Sequence, residues 1–151
     1  MSGAAKAPIT VQVVVDCSDP HALVRFWGGA FGYEIEDHHD LVVSMLEQGI
    51  AEPSDTVEID GRKAWATAAA CRYPDGSLPR LLFQTVPEAK ANGARVKNSW
   101  HLDFKVGEDR LEAERDRLIA AGATFHHEGH QGPSHWFTLT DPEGNFFCIA
   151  A

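Results

Sequence analysis

Ser99-Trp100-His101-Leu102-Asp103-Phe104-Lys105-Val106 alternates strictly between apolar and polar residues. With a strand's period of two, Trp100, Leu102, Phe104 and Val106 share one face, and His101, Asp103 and Lys105 the other. The apolar face must pack on something. The polar face offers an imidazole and a carboxylate two residues apart, so the rest of the chain decides what that face looks into.

Downstream, Glu108–Ala121 has helical spacing through Leu111, Arg115, Leu118 and Ile119, and Gly122 ends it. Ala123–Glu128 reads as a short strand and 127–134 as a loop rich in Gly and Pro. His135–Thr140 is a strand, Asp141–Asn145 a tight turn, and Phe146–Ala150 a closing strand. Upstream, the Val-rich Ile9–Asp16 is a strand. Ser18 or Asp19 can cap a helix that has Pro20 at its first position and runs from about His21 to Phe31, with Gly32 as the stop. Tyr33–Asp37 and Asp40–Leu46 read as strands, and 47–62 as an acidic loop or irregular insertion. Lys63–Arg72 and Arg80–Val86 are read as strands, with a turn at Tyr73–Gly76.

The pattern restarts at Ser99. Gln12 precedes Asp19 by the same seven residues that separate His101 from Glu108, and Gly32 and Gly122 lie 90 residues apart. A long-period repeat of βαβββ modules accounts for this, with module 9–86, linker 87–98 and module 99–151 forming one domain over 1–151. Parity then sorts the faces. Val11, Val13, Val15, Leu81, Phe83, Trp100, Leu102, Phe104, Phe125, Phe137, Leu139, Phe147 and Ile149 form the helix-facing core. Gln12, Val14, Asp16, Leu82, Gln84, His101, Asp103, His126, Trp136, Thr138, Phe146 and Cys148 form the opposite face. That mixed polar and aromatic set suits a ligand-lined concavity, and Trp65 is expected to join it.

The composition is that of a globular chain, with 44% hydrophobic and 23% charged residues among 151. A formal net charge of −9 argues against a nucleic-acid role, which wants a basic patch. No run approaches a membrane span, and the N-terminus lacks a signal-peptide core. Three cysteines without a CxxC pair suggest reduced thiols and a cytoplasmic protein. Of the histidines, His126 alone gains a place in the concavity by parity. His38, His39, His127, His130 and His135 are expected in surface loops.

Several stretches resemble the vicinal oxygen chelate superfamily, in its glyoxalase-like and bleomycin-resistance-like members. They are VVVDCSDP with HALVRFWGGAFGYEI, RLLFQTVPEAK before KNSWHLDFKV, AAGATF, and TLTDPEGNFFCIA. The resemblance implies an α+β fold in which two βαβββ modules pair their curved mixed sheets into a cup, within one chain or across a homodimer. It also implies a divalent metal on His, Glu or Gln side chains there. Position by position, the ligands would be Gln12, Gln84, His101 and Cys148, the last where metal-binding members carry Glu. Two neutral amides and a thiol beside one imidazole make a poor set for a hard cation.

Three functions follow as expectations. The first is a binding protein of sequestration or drug-resistance type, holding a small aromatic or hydrophobic molecule with Gln12, Asp16, Trp65, Gln84, His101, His126, Trp136, Phe146 and Cys148. The second is a metal-dependent lyase, isomerase or dioxygenase. The third is metal-free acid/base catalysis by His101 and Asp103.

Overall fold

The computed structural model describes residues 11–85, 101–131 and 133–151. Linker 87–98, Trp100 and the start of the first expected strand lie outside the described residues. The chain runs β1 (Gln12–Cys17), α1 (Pro20–Phe31), β2 (Glu34–Ile35), α2 (His39–Glu47), β3 (Thr56–Ile59), β4 (Arg62–Trp65), β5 (Ala68–Arg72) and β6 (Arg80–Thr85). It continues with β7 (Leu102–Lys105), α3 (Leu111–Ala120), β8 (Thr124–Gln131), β9 (Ser134–Thr140) and β10 (Phe146–Ala150).

Two four-stranded sheets have the same design. One is ordered β1-β6-β5-β2 and the other β7-β10-β9-β8. In each, the first strand lies parallel to the last, and the remaining pairs are antiparallel. The α+β fold of two βαβββ units read from the repeat is therefore present.

Local chemistry explains the first unit. The Asp19 carboxylate accepts from Ala22 N–H at 3.0 Å, Pro20 opens α1, and Gly32 closes it at φ +73°, a left-handed conformation that favours glycine. Leu23, Phe26, Trp27 and Ala30 make its buried stripe. That stripe touches both sheets. Trp27 packs its ring 5.0 Å from Phe147 and 5.8 Å from Phe104, and Phe31 stacks on Phe104 at 3.8 Å. One buried cluster accordingly joins Cys17, Leu81 and Phe83 to Phe137, Leu139, Phe147 and Ile149.

The region between β2 and β5 departs from the sequence reading. Residues 40–46 are not a strand but the body of α2, in which Val42 alone is buried. The β-branched pair Val42-Val43 favours a strand locally, yet with one buried position the segment is satisfied by helix. His39 Nδ1 then accepts from Lys63 N–H at 2.8 Å, tying α2 to β4. The expected irregular stretch 47–62 contains a 3₁₀ turn at Pro53–Asp55 and the β3–β4 hairpin. Its turn is Asp60-Gly61 with φ +50° and +75°, the Asp-Gly chemistry of a tight hairpin. With 40–46 removed from the strands and the β3–β4 hairpin set apart as its own two-stranded sheet, the four-stranded sheet of the first unit has three strands after α1, like that of the second.

The second unit shows two smaller differences. The helix of 108–121 begins as a 3₁₀ turn, Glu108–Arg110, before α3. The expected loop 127–134 is mostly strand, because β8 and β9 pair out to Gln131 and Ser134. Two of the unit's expected core residues are exposed, Leu102 at the start of an edge strand and Phe125 on the outer strand β8, as is Val11 just ahead of β1 in the first unit. Phe125 still meets Phe137 edge-on at 5.8 Å.

An ion-paired group locks the first sheet's outer end. Arg80 donates from Nε to both Glu36 oxygens at 2.9 and 3.0 Å and from Nη1 to Gln12 Oε1 at 2.7 Å. Hydrogen bonding from Arg80, its largest cause, holds the Glu36 carboxyl below its ordinary value. The stabilisation is therefore present above the usual carboxylate range and is lost as pH falls through the depressed folded value. Urea midpoints taken between pH 7 and pH 3 are expected to fall more steeply for the native chain than for Glu36→Gln. Parallel pH profiles would contradict this assignment.

Candidate functional site

The second sheet's polar face forms the candidate site. A cavity of about 500 Å³ is lined by His101, Asp103, His127, Trp136, Phe146 and Cys148, with Lys105, Gln131, Ser134, His135, Thr138 and the chain's last two residues around them. β7 contributes Asp103 and Lys105, with His101 just before it. β9 contributes Trp136 and Thr138, and β10 Phe146 and Cys148. The ladder sets Asp103 opposite Cys148 and Cys148 opposite Thr138, so these three strands, with His127 and Gln131 of β8, line one hollow.

The polar contacts fall into three groups. His101 Nε2 lies 3.3 Å from Asp103 Oδ1, with both side chains substantially exposed. Deeper in, Thr138 Oγ1 is 3.4 Å from Cys148 Sγ and 3.3 Å from His127 Nε2. His126 Nε2 meets Thr140 Oγ1 at 3.0 Å, and its ring lies 4.8 Å from that of Phe146.

Sequence parity placed His126 on this face and left His127 in a loop. Both lie on this face, because β8 carries a bulge between Phe125 and His127, but of the two only His127 lines the cavity. An extra residue at a bulge turns two consecutive side chains the same way. A bulge carries no reliable single-sequence signature, so His127 was not legible.

Trp136 depends on a glycine across the ladder. Gly129 pairs with Trp136, and a Cβ at Gly129 would fall 2.2 Å from two atoms of the indole. The ring thus occupies the space a side chain would take. Gly129→Ala is expected to displace Trp136, at a cost of about 1–3 kcal/mol. A shifted tryptophan emission maximum together with a lowered urea midpoint would report it, and an unchanged spectrum would contradict the packing described.

Four expected residues lie elsewhere, and a fifth, His126, adjoins Phe146 without lining the cavity. Gln12, Asp16, Trp65 and Gln84 are absent from the described lining of this cavity. Gln12 is held by Arg80 in a separate cleft with Tyr73 and Leu78. Trp65 belongs to the β3–β4 hairpin, where its carbonyl lies 2.7 Å from His21 Nε2. Asp16 and Gln84 are cross-strand partners on the first sheet. Ladder register also shows that Leu82, not Gln84, is the first-sheet counterpart of Cys148: Leu82 faces Val14 as Cys148 faces Asp103.

This bears on a metal. The four positions implied by resemblance do not line one cavity, so that set does not fit a shared ion. Another group does converge: donor atoms of His101, Asp103 and Cys148 lie within 4.8 Å of one another. An N, O and S set with an open position suits Zn²⁺ better than Mn²⁺ or Mg²⁺. The other two thiols are not candidates. Burial pushes Cys17 and Cys71 up to about 12, which keeps both protonated near neutral pH.

Among the described residues, no helix is long and apolar enough to cross a membrane. Among curated proteins, none matches the chain in sequence.

Solved structures do match the fold. A glyoxalase/dioxygenase from Nostoc punctiforme superposes with a TM-score of 0.60 at 14% identity, covering 99% of this chain and 97% of that one. A glyoxalase/bleomycin resistance protein/dioxygenase family enzyme from Burkholderia phytofirmans gives 0.57 at 17% identity, covering 93% and 94%. A mutant of the genomically encoded fosfomycin resistance protein FosX from Listeria monocytogenes, complexed with Mn(II) and 1S,2S-dihydroxypropylphosphonic acid, gives 0.56 at 12% identity, covering 99% and 89%. The family model described as a glyoxalase-like domain matches residues 12–150. With the duplicated sheet order, that match establishes that the chain belongs to the glyoxalase-like domain family.

Proposed function

We propose that this protein binds a small aromatic or hydrophobic molecule in the cup on the second sheet and holds it there, in the manner of a sequestration or drug-resistance protein. The observation that carries this reading is Trp136, whose indole lies over Gly129 in the wall of a cavity that also contains Phe146. Such walls bind planar ligands by burial, with about 0.5–1.5 kcal/mol per stacked pair beyond the area term. His101, Asp103 and the Thr138 hydroxyl supply the polar contacts that would orient the guest. A net charge of −9 favours neutral or cationic guests over anionic ones.

The same proposal takes the chain as one domain of two modules, located in the cytoplasm and assembled as a homodimer. Sedimentation velocity checks the last point.

Quinoline and N-methylquinolinium serve as neutral and cationic probes for a fluorescence titration. Saturable quenching is expected in the native chain and its loss in Trp136→Phe. No saturable change in either chain, or equal quenching in both, would overturn the reading.

A second reading rests on the His101–Asp103 pair at 3.3 Å. An imidazole beside a carboxylate can take a proton from a bound substrate without a metal. A metal-dependent lyase, isomerase or dioxygenase would instead hold its ion on His101, Asp103 and Cys148, and the ion would supply Lewis acidity. Elemental analysis of the native chain beside His101→Ala/Asp103→Ala, both purified without chelators, separates these two: an equivalent of zinc lost with those side chains favours the metal-dependent form, and equal zinc in both favours the other.

A further inference from the structure

The β8–β9 hairpin carries a second donor group on the face turned away from Trp136, with His135 also bordering the cup. By strand alternation Glu128, His130 and His135 share that face with Phe137, and His130 and His135 are direct cross-strand partners. Their rings stack with centroids 4.1 Å apart and planes 12° apart. Nε2 of His130 and Nε2 of His135 both reach one oxygen of Glu128, at 3.1 and 2.7 Å. Two imidazole nitrogens therefore converge on one point already occupied by a carboxylate oxygen. Donor atoms of the three residues lie within 4.8 Å of one another.

A fourth residue completes the arrangement. Glu108, in the 3₁₀ turn before α3, places its two oxygens 2.8 and 3.1 Å from Nδ1 of His135. Metal-binding histidines commonly give their other ring N–H to a carboxylate, which fixes the tautomer and turns the free nitrogen toward the ion. Glu108 does this for His135 and leaves Nε2 aimed at Glu128 and His130.

We propose that His130, His135 and Glu128 form a binding site for one divalent transition-metal ion of the Zn²⁺ type on the outer face of the β8–β9 hairpin, with Glu108 as a positioning residue. Two imidazoles and a carboxylate suit Zn²⁺ and Co²⁺, whereas Mg²⁺ and Ca²⁺ demand oxygen donors throughout. His135 is largely covered, with 14% of its side chain exposed, while His130 is 63% exposed. The ion would thus have a fixed inner ligand and an open side for water. It shares no ligand with the His101, Asp103 and Cys148 group. Clipping His130 to His135 also ties together the strands whose other face carries His127, Gln131 and Trp136, so the ion braces one wall of the cup.

The test is a Co²⁺ titration of the full chain followed by its visible d–d absorption. The native protein and His101→Ala/Asp103→Ala are expected to bind one equivalent whose spectrum lacks a sulfur-to-cobalt charge-transfer band. His130→Ala, an exposed position whose fold circular dichroism can verify, is expected to weaken that equivalent at least tenfold. Glu108→Gln is expected to weaken it about 10–100-fold while retaining the same band positions. Absence of saturable binding to the native chain, equal affinity in His130→Ala, or loss of binding in His101→Ala/Asp103→Ala would each overturn the proposal.

Discussion

Phe147→Ala is expected to cost about 3–5 kcal/mol of unfolding free energy, read as a lowered midpoint in urea with an unchanged slope. Phe147 is fully buried at the centre of the second sheet. Its ring meets Phe26, Trp27, Phe31 and Phe104 at centroid distances between 5.0 and 6.3 Å. Phe26, Trp27 and Phe31 belong to α1 of the first unit, and Phe104 to β7 of the second. The ring is therefore where the two units share a core, and a cavity there has rigid aromatic walls that collapse poorly. A loss below about 1 kcal/mol would mean that the two halves do not depend on this contact.

Asp141→Ala is expected to be nearly as damaging, on the order of 3 kcal/mol, for a polar reason. Asp141 is 2% exposed and accepts four hydrogen bonds. Oδ1 takes the backbone N–H groups of Glu143 and Asn145, both at 2.9 Å. Oδ2 takes the Asn145 side-chain amide at 2.7 Å and the Trp27 indole N–H at 3.0 Å. The carboxylate thus shapes the β9–β10 turn and anchors α1 to it, and alanine would leave buried donors unpaired. Glu143, from the same turn, accepts from Ser18 and Asp19 N–H at 2.8 and 3.2 Å, just ahead of α1. Asp141→Asn, which keeps one accepting oxygen, is expected to lose about half as much in the same urea experiment. Equal losses for both variants would show that the charge rather than the hydrogen bonds matters.

Much of this architecture is legible in the residues. Alternation in 99–106, the Asp19-Pro20 start and Gly32 stop of α1, and the matched spacing of the two halves lead directly to two βαβββ sheets. Each reports a local rule that tertiary structure also obeys. The misreadings have identifiable sources. Val42-Val43 favours a strand locally but sits in α2, where packing against β4 decides. Asp60-Gly61 carried a hairpin signal that the surrounding acidic composition obscured. Loop chemistry at 127–134 hid the pairing of β8 with β9 out to Gln131 and Ser134, and with it the cross-strand His130–His135 pair.

The site was legible in half. Parity brought His101, Asp103, Trp136, Phe146 and Cys148 to one cavity because strand period is a local property. It could not say whether the first sheet faces the same hollow, which depends on how the two sheets are set. Gln12, Asp16 and Gln84 occupy the corresponding face of the other sheet without lining this cavity, and the β8 bulge adds His127 to it.

Amide chemical-shift mapping with quinoline as the probe tests the central claim most directly. The account predicts shifts concentrated at Asp103, Thr138, Trp136 and Cys148, with Gln12, Gln84 and Trp65 unmoved. Shifts confined to the first sheet, or none at saturating probe, would contradict it.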